Sequence, residues 1–119
     1  MFAEREDDEL VIIRSARVMI DPLRFLVVAN EREVSLYPKE FEVLYYLAKH
    51  SGWVLPAEKI YYAVWHECVY GYEYIIYNTI SQIRKKLNMP DIIQTIKNRG
   101  YKYLGWFYNY IVKKWNIGK

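Results

Sequence analysis

The stretch from Ile76 to Leu87, IYNTISQIRKKL, constrains the fold more than any other part of the chain. Ile76, Ile80, Ile83 and Leu87 recur at i, i+4, i+7 and i+11, which puts branched aliphatics on one stripe of a helix and requires a core beneath them. Between them lie Asn78, Ser81, Gln82, Arg84, Lys85 and Lys86. An outer face with two carboxamides and then three consecutive cations has the chemistry of a nucleic-acid groove, since amides pair with adenine edges and cations neutralise phosphates. Taken alone, the pattern also describes a solvated surface helix, because exposed Lys and Arg require no ligand.

The residues that follow separate these readings. After a break at Asn88 to Pro90 comes IIQTIKNRGYKYL, two β-type runs joined by Lys97, Asn98, Arg99 and Gly100. Ile93, Thr95, Tyr101 and Tyr103 have strand character, and Asn-Arg-Gly tolerates the positive φ of a turn. A helix of amides and cations followed by a basic hairpin has the layout of a winged helix, with the helix in a major groove and the wing on the backbone or in a minor groove.

Several pieces in order also carry a family resemblance: LYPKEFEVLYYLA at 36–48, Gly52, the IYYAVW run ending at Trp65, TISQIRKKL at 79–87 and QTIKNRGY at 94–101. Over roughly residues 15–104 the chain resembles the OmpR/PhoB-type winged-helix domain, the output module of bacterial response regulators. The resemblance implies an α+β fold: an N-terminal antiparallel sheet, a three-helix core and a C-terminal hairpin wing. It also implies sequence-specific binding of double-stranded DNA in transcription regulation, at direct repeats, by a homodimer or by protomers in tandem. In the family the loop matching 66–74 can contact RNA polymerase.

The candidate DNA-contacting set is Tyr74, Tyr77, Asn78, Thr79, Ser81, Gln82, Arg84, Lys85, Thr95, Lys97 and Arg99. Asn78 and Gln82 lie one turn apart and project together away from the apolar stripe, so they are the candidate base readers. The resemblance directs Thr79, Arg84 and Thr95 toward the DNA backbone. Departures from the family modify this expectation. Tyr77 stands where an Asp is usual and Gln82 where an Arg or Lys is common, which favours adenine over guanine as the target. Arg99 stands near a position where the family usually has small residues, and is either an added minor-groove contact, the favoured reading, or a surface charge. Tyr37 replaces a Thr helix cap, leaving Ser35 or water as substitutes.

Charge patterning supports the same half of the molecule. Residues 1–74 hold 8 Lys+Arg against 13 Asp+Glu, or −5, whereas residues 75–119 hold 9 against 1, or +8. The basic half contains the proposed groove helix and wing, and local potential matters more to phosphates than the overall +3. A length of 119 residues and 53% hydrophobic content suit one packed domain over 11–104. The acidic MFAEREDDEL suits a tail or linker over 1–10 and lacks the basic start and apolar stretch of a signal peptide. A cytoplasmic protein is expected, with Cys68 a reduced structural thiol.

Along the chain, LVII, RVMI, RFLVVA and EVSL read as short strands separated by turns at Asp21-Pro22 and Asn30-Glu31. Pro38 suits the first position of a helix carrying Phe41, Leu44, Leu47 and Ala48 inward, closed by His50-Ser51-Gly52. Pro56 is expected to open a second helix in the same way, with Ile60, Val64 and Trp65 buried. The segment 66–74 reads as a loop. In the extension over 105–119, Phe107, Ile111 and Trp115 predict a terminal helix, expected to pack on the domain in preference to a membrane surface.

Catalytic chemistry finds no support. His50 and His66 lack partners at metal-ligand spacing, and no nucleophile elbow, Walker A or dinucleotide fingerprint occurs. Neither cofactor nor metal is expected, and the βαβ pattern of a phospho-accepting receiver domain is absent from this chain. Two alternatives stand beside DNA binding by a self-contained regulator: a winged helix used as a protein-interaction module, and an output domain excised from a longer two-component response regulator.

Overall fold

The computed structural model describes residues 10–15 and 17–105. The tail expected over 1–10 and the helix expected over 105–119 therefore lie, apart from Leu10 and Gly105, outside the described residues.

Four short strands, β1 (Ile13–Arg14), β2 (Val18–Asp21), β3 (Leu26–Ala29) and β4 (Arg32–Val34), form an antiparallel sheet in chain order. Only Ile13 of the LVII run is paired, opposite Ile20. Val18 faces Ala29 and Ile20 faces Val27, and all four are buried, so the period of two turns one sheet face into the core. The β2–β3 turn forms around buried Asp21, whose carboxylate accepts the Leu23 N–H at 2.9 Å and the Arg24 guanidinium at 2.9 Å. At Asn30-Glu31 both residues adopt positive φ, 52° and 67°, the twist that a two-residue hairpin needs.

Helix α1 (Pro38–Lys49) begins with Pro38 at its first position. The cap is neither Ser35 nor a Tyr37 oxygen in the manner of a Thr: the Glu40 carboxylate reaches back to accept the Tyr37 N–H at 2.9 Å. Helix α2 (Ala57–Trp65) starts one residue later than expected, with Pro56 extended at the cap position. Tyr61 rather than Trp65 is the fully buried aromatic there, and Trp65 stacks on it at 4.5 Å and 4° between planes. A left-handed His66, φ 62°, ends α2.

Helix α3 (Tyr72–Leu87) is a turn longer than its apolar stripe suggests. The loop before it is accordingly 66–71, and Tyr72, Glu73 and Tyr74 belong to the first helical turn. Ile76, Ile80, Ile83 and Leu87 are buried against α1 and α2, each worth about 1.5–3 kcal/mol of apolar burial. Left-handed Asn88, φ 56°, ends the helix and directs the chain into the hairpin of β5 (Ile93–Ile96) and β6 (Gly100–Tyr103). The molecule is thus a winged helix: an N-terminal sheet, three helices and a C-terminal hairpin.

Candidate nucleic-acid interface

Subtracting two from each core position of α3 gives Tyr74, Asn78, Ser81 and Lys85. A shift of two residues turns the helix by about 200°, so these side chains form the stripe diametrically opposite the core. Tyr74, Asn78 and Lys85 are exposed, with Ser81 half-buried. Exposed Gln82 lies one turn beyond Asn78 on the edge of this stripe, and exposed Tyr77 lies on its other edge. The outward face therefore presents aromatic, amide and hydroxyl groups and, at its C-terminal end, a cation. Thr79 sits off this face, its hydroxyl donating to the Ile75 carbonyl at 2.8 Å.

The three consecutive cations do not share that face, which corrects the sequence expectation. Arg84 turns toward the wing: Nε and Nη2 donate to the Ile93 carbonyl at 3.0 and 2.7 Å, and Nη2 also donates to Thr95 Oγ1 at 2.8 Å. Lys86 turns the opposite way, pairing with buried Glu40 at 2.7 Å while standing 4.0 Å over the Tyr37 ring. Among the described residues Lys85 alone of the three has no side-chain partner. The cause is helical geometry, since consecutive residues diverge by about 100° and three in a row cannot point together.

The wing is held at both edges. Thr95 pairs with Tyr101 and Ile93 with Tyr103 in the hairpin. The Leu104 N–H donates to the Ile92 carbonyl at 2.8 Å, and bonded pairs alternate along an antiparallel ladder. The backbone groups of Ile93, Thr95, Tyr101 and Tyr103 therefore point away from the opposite strand. On the β6 edge, Leu55 exchanges two 2.9 Å bonds with Tyr101, and the Gly52 N–H reaches the Tyr103 carbonyl at 3.0 Å. On the β5 edge the Arg84 fork takes the Ile93 carbonyl. Gly100, φ 144°, is required by this arrangement: a Cβ there would lie 2.1 Å from the Leu55 carbonyl oxygen.

Lys97 and Arg99 flank the tip beside left-handed Asn98, both exposed and without a side-chain partner among the described residues. Tyr101, on the strand below, is buried, and burial pushes its phenol pKa up while the neighbouring Arg84 charge opposes the rise. The sequence reading missed the Glu40–Lys86 pair, the Arg84 fork and the Leu55 bridge. None of the three left a local signal in the sequence; the Glu three residues after the helix cap marks only the bond from the Tyr37 N–H to Glu40. Among the described residues no group of three or more His, Cys, Asp and Glu could hold a metal ion, and no helix is long and apolar enough to cross a membrane. Cys68 is exposed rather than structural, with Sγ 3.5 Å from Glu58.

A helix-turn-helix of α2 and α3 followed by a β-hairpin wing defines the winged-helix class of regulator domain. The family model described as transcriptional regulatory protein, C terminal, matches residues 31–103, and the chain belongs to that family. CutR of Streptomyces coelicolor, a transcriptional regulatory protein, is 33% identical over 91 residues, covering 76% of this chain and 42% of that protein. SrrA of Staphylococcus aureus, also a transcriptional regulatory protein, is 35% identical over 97 residues, covering 77% of this chain and 40% of that protein. The chain thus spans about two fifths of the length of these relatives.

Among solved structures, the Klebsiella pneumoniae RstA DNA-binding domain in complex with its RstA box superposes with a TM-score of 0.72 at 26% identity, covering 79% of this chain and 97% of that one. The response regulator DrrB of Thermotoga maritima, an OmpR/PhoB homologue, superposes with a TM-score of 0.72 at 31% identity, covering 87% of this chain and 48% of that one.

Proposed function

We propose that the chain is the DNA-binding domain of a bacterial transcriptional regulator, reading double-stranded DNA with α3 in a major groove and the wing on the flanking backbone or minor groove. The observation that carries this reading is the outward stripe of α3, amides at Asn78 and Gln82 and a cation at Lys85, standing beside a wing whose Lys97 and Arg99 side chains have no partner among the described residues. The RstA domain solved on its own box supports it, as does family membership. Within the interface Asn78 and Gln82 read adenine edges, Ser81, Tyr74 and Tyr77 line the groove, and Lys85, Lys97 and Arg99 neutralise phosphates. Two protomers bind in tandem on a direct repeat, and the 66–74 segment faces RNA polymerase. The protein acts where its DNA is, in the cytoplasm, without catalysis of its own.

Titrating duplexes at a series of salt concentrations tests the reading. The logarithm of the binding constant should fall linearly with log salt, with a slope of about −0.9 per phosphate neutralised. Five exposed tyrosines among the described residues, Tyr37, Tyr62, Tyr70, Tyr74 and Tyr77, favour a second reading as a protein-interaction module. Duplex affinity that is absent at low salt would decide for that reading.

A further inference from the structure

The Arg84 side chain is turned from the groove face of α3 onto the wing. Of its five N–H donors three are committed to the wing: the Nε hydrogen and one Nη2 hydrogen to the Ile93 carbonyl, and the other Nη2 hydrogen to Thr95 Oγ1. The carbonyl it takes is an edge acceptor of β5 that the Ile93–Tyr103 pairing leaves without a ladder partner. A planar fork satisfies that acceptor and the hydroxyl two residues on at once, which an ammonium on a flexible stem cannot do with the same geometry. β6 is already tied to the body of the domain through Leu55, so Arg84 supplies the corresponding tie for β5, and it comes from the groove helix itself.

We propose that Arg84 is a positioning residue that locks the wing to α3, setting the distance between the base-reading stripe and the phosphate-binding tip. This inference rests on the DNA-binding reading above and deepens it. The electrostatic attraction then comes mainly from Lys97, Arg99 and Lys85, and Arg84 acts through where it places the first two. A cation that merely touches a phosphate contributes its charge, whatever its shape. A strut contributes through its shape, and its loss matters only while the tip has cations to place.

The full chain is compared with Arg84→Lys, Arg84→Ala, Thr95→Val and Lys97→Ala/Arg99→Ala, with and without each Arg84 change. In the free protein, amide exchange and chemical shifts of residues 94–99 should change in Arg84→Ala and Arg84→Lys while those of the buried face of α3 stay fixed. On duplex, Arg84→Lys should fail to rescue and lose about tenfold in affinity, close to Arg84→Ala, with Thr95→Val intermediate, as expected where a bidentate site is replaced by a point charge. Once Lys97 and Arg99 are removed, a further Arg84→Ala change should have little effect, a non-additivity that marks coupled residues. Wing signals unchanged in Arg84→Ala, full rescue by lysine, or multiplicative losses would each overturn the proposal. Failure of the unaltered chain to bind any duplex would overturn the DNA reading, while the free-protein wing signals still decide whether the strut exists.

Discussion

Helix α3 and the wing invite comparison because the helix carries the larger cluster of cations, yet the wing leaves more of its own available. Arg84 and Lys86 are drawn into opposite flanks of the fold, one to the Ile93 carbonyl and one to Glu40, so Lys85 alone remains unengaged on the outward face among the described residues. Lys97 and Arg99 stand at the tip with no such competition. The difference teaches that counting charges along a helix overstates its reach for phosphates, since packing claims every side chain that points sideways. It suggests a division of labour in which the helix discriminates through amides and the wing attracts through charge.

The largest expected effect comes from breaking the wing's seat. Gly100→Ala would press a Cβ onto the Leu55 carbonyl at a backbone φ of 144°, and should cost about 3 kcal/mol of stability, measured by denaturant unfolding. Because the contacts of the seat involve neither Asn78 nor Gln82, the surviving folded fraction should keep its base preference. A smaller loss is expected on the other flank. Lys86→Ala strands the Glu40 carboxylate in a nearly closed site, costing about 2 kcal/mol, and adding Glu40→Gln should recover much of it. If Lys86 were instead a DNA contact, its removal would leave stability unchanged and lower affinity.

Charge removal from the wing sharpens the comparison without touching stability. Lys97→Ala/Arg99→Ala should reduce the magnitude of the salt slope by about 1.8, if each cation neutralises one phosphate. The smallest effect concerns Tyr103, whose buried hydroxyl has no partner in hydrogen-bond geometry among the described residues and whose pKa burial pushes well above that of a free tyrosine, with nearby Ser15 opposing the rise. The folded chain then holds that proton more tightly than the unfolded one. Its contribution is fully present below pH 10 and is lost as pH rises toward the folded pKa. Tyr103→Phe should raise stability at neutral pH by about 1 kcal/mol and flatten the alkaline loss, read by thermal unfolding across pH.

Much of the fold was legible because it rests on periodicity and turn chemistry. The i, i+4, i+7, i+11 stripe identified the buried face of α3, Pro38 the start of α1, and Asn30-Glu31 the hairpin turn. The start of α3 was not legible, because YEYIIY satisfies a helix and a loop equally well until Gly71 is seen to end the turn with φ 88°. Trp65 resembles a core residue in sequence, but Tyr61 beside it takes the interior. The directions of Arg84 and Lys86 depend on acceptors 9 and 46 residues away in sequence, which no local pattern encodes. Membership of the interface is thus readable residue by residue only on the stripe opposite the core, where helical spacing alone decides exposure.

Site selection from a random duplex pool, run in parallel on three forms of the full chain, tests the division of labour most directly. The unaltered chain should enrich a defined sequence containing adenines at the positions met by Asn78 and Gln82. Lys97→Ala/Arg99→Ala should enrich the same sequence at lower affinity, whereas Asn78→Ala/Gln82→Ala should relax the base choice, each lost amide weakening the preferred site by about 1–3 kcal/mol. An amide variant that keeps the full base preference, or a wing variant that changes it while affinity holds, would contradict the account.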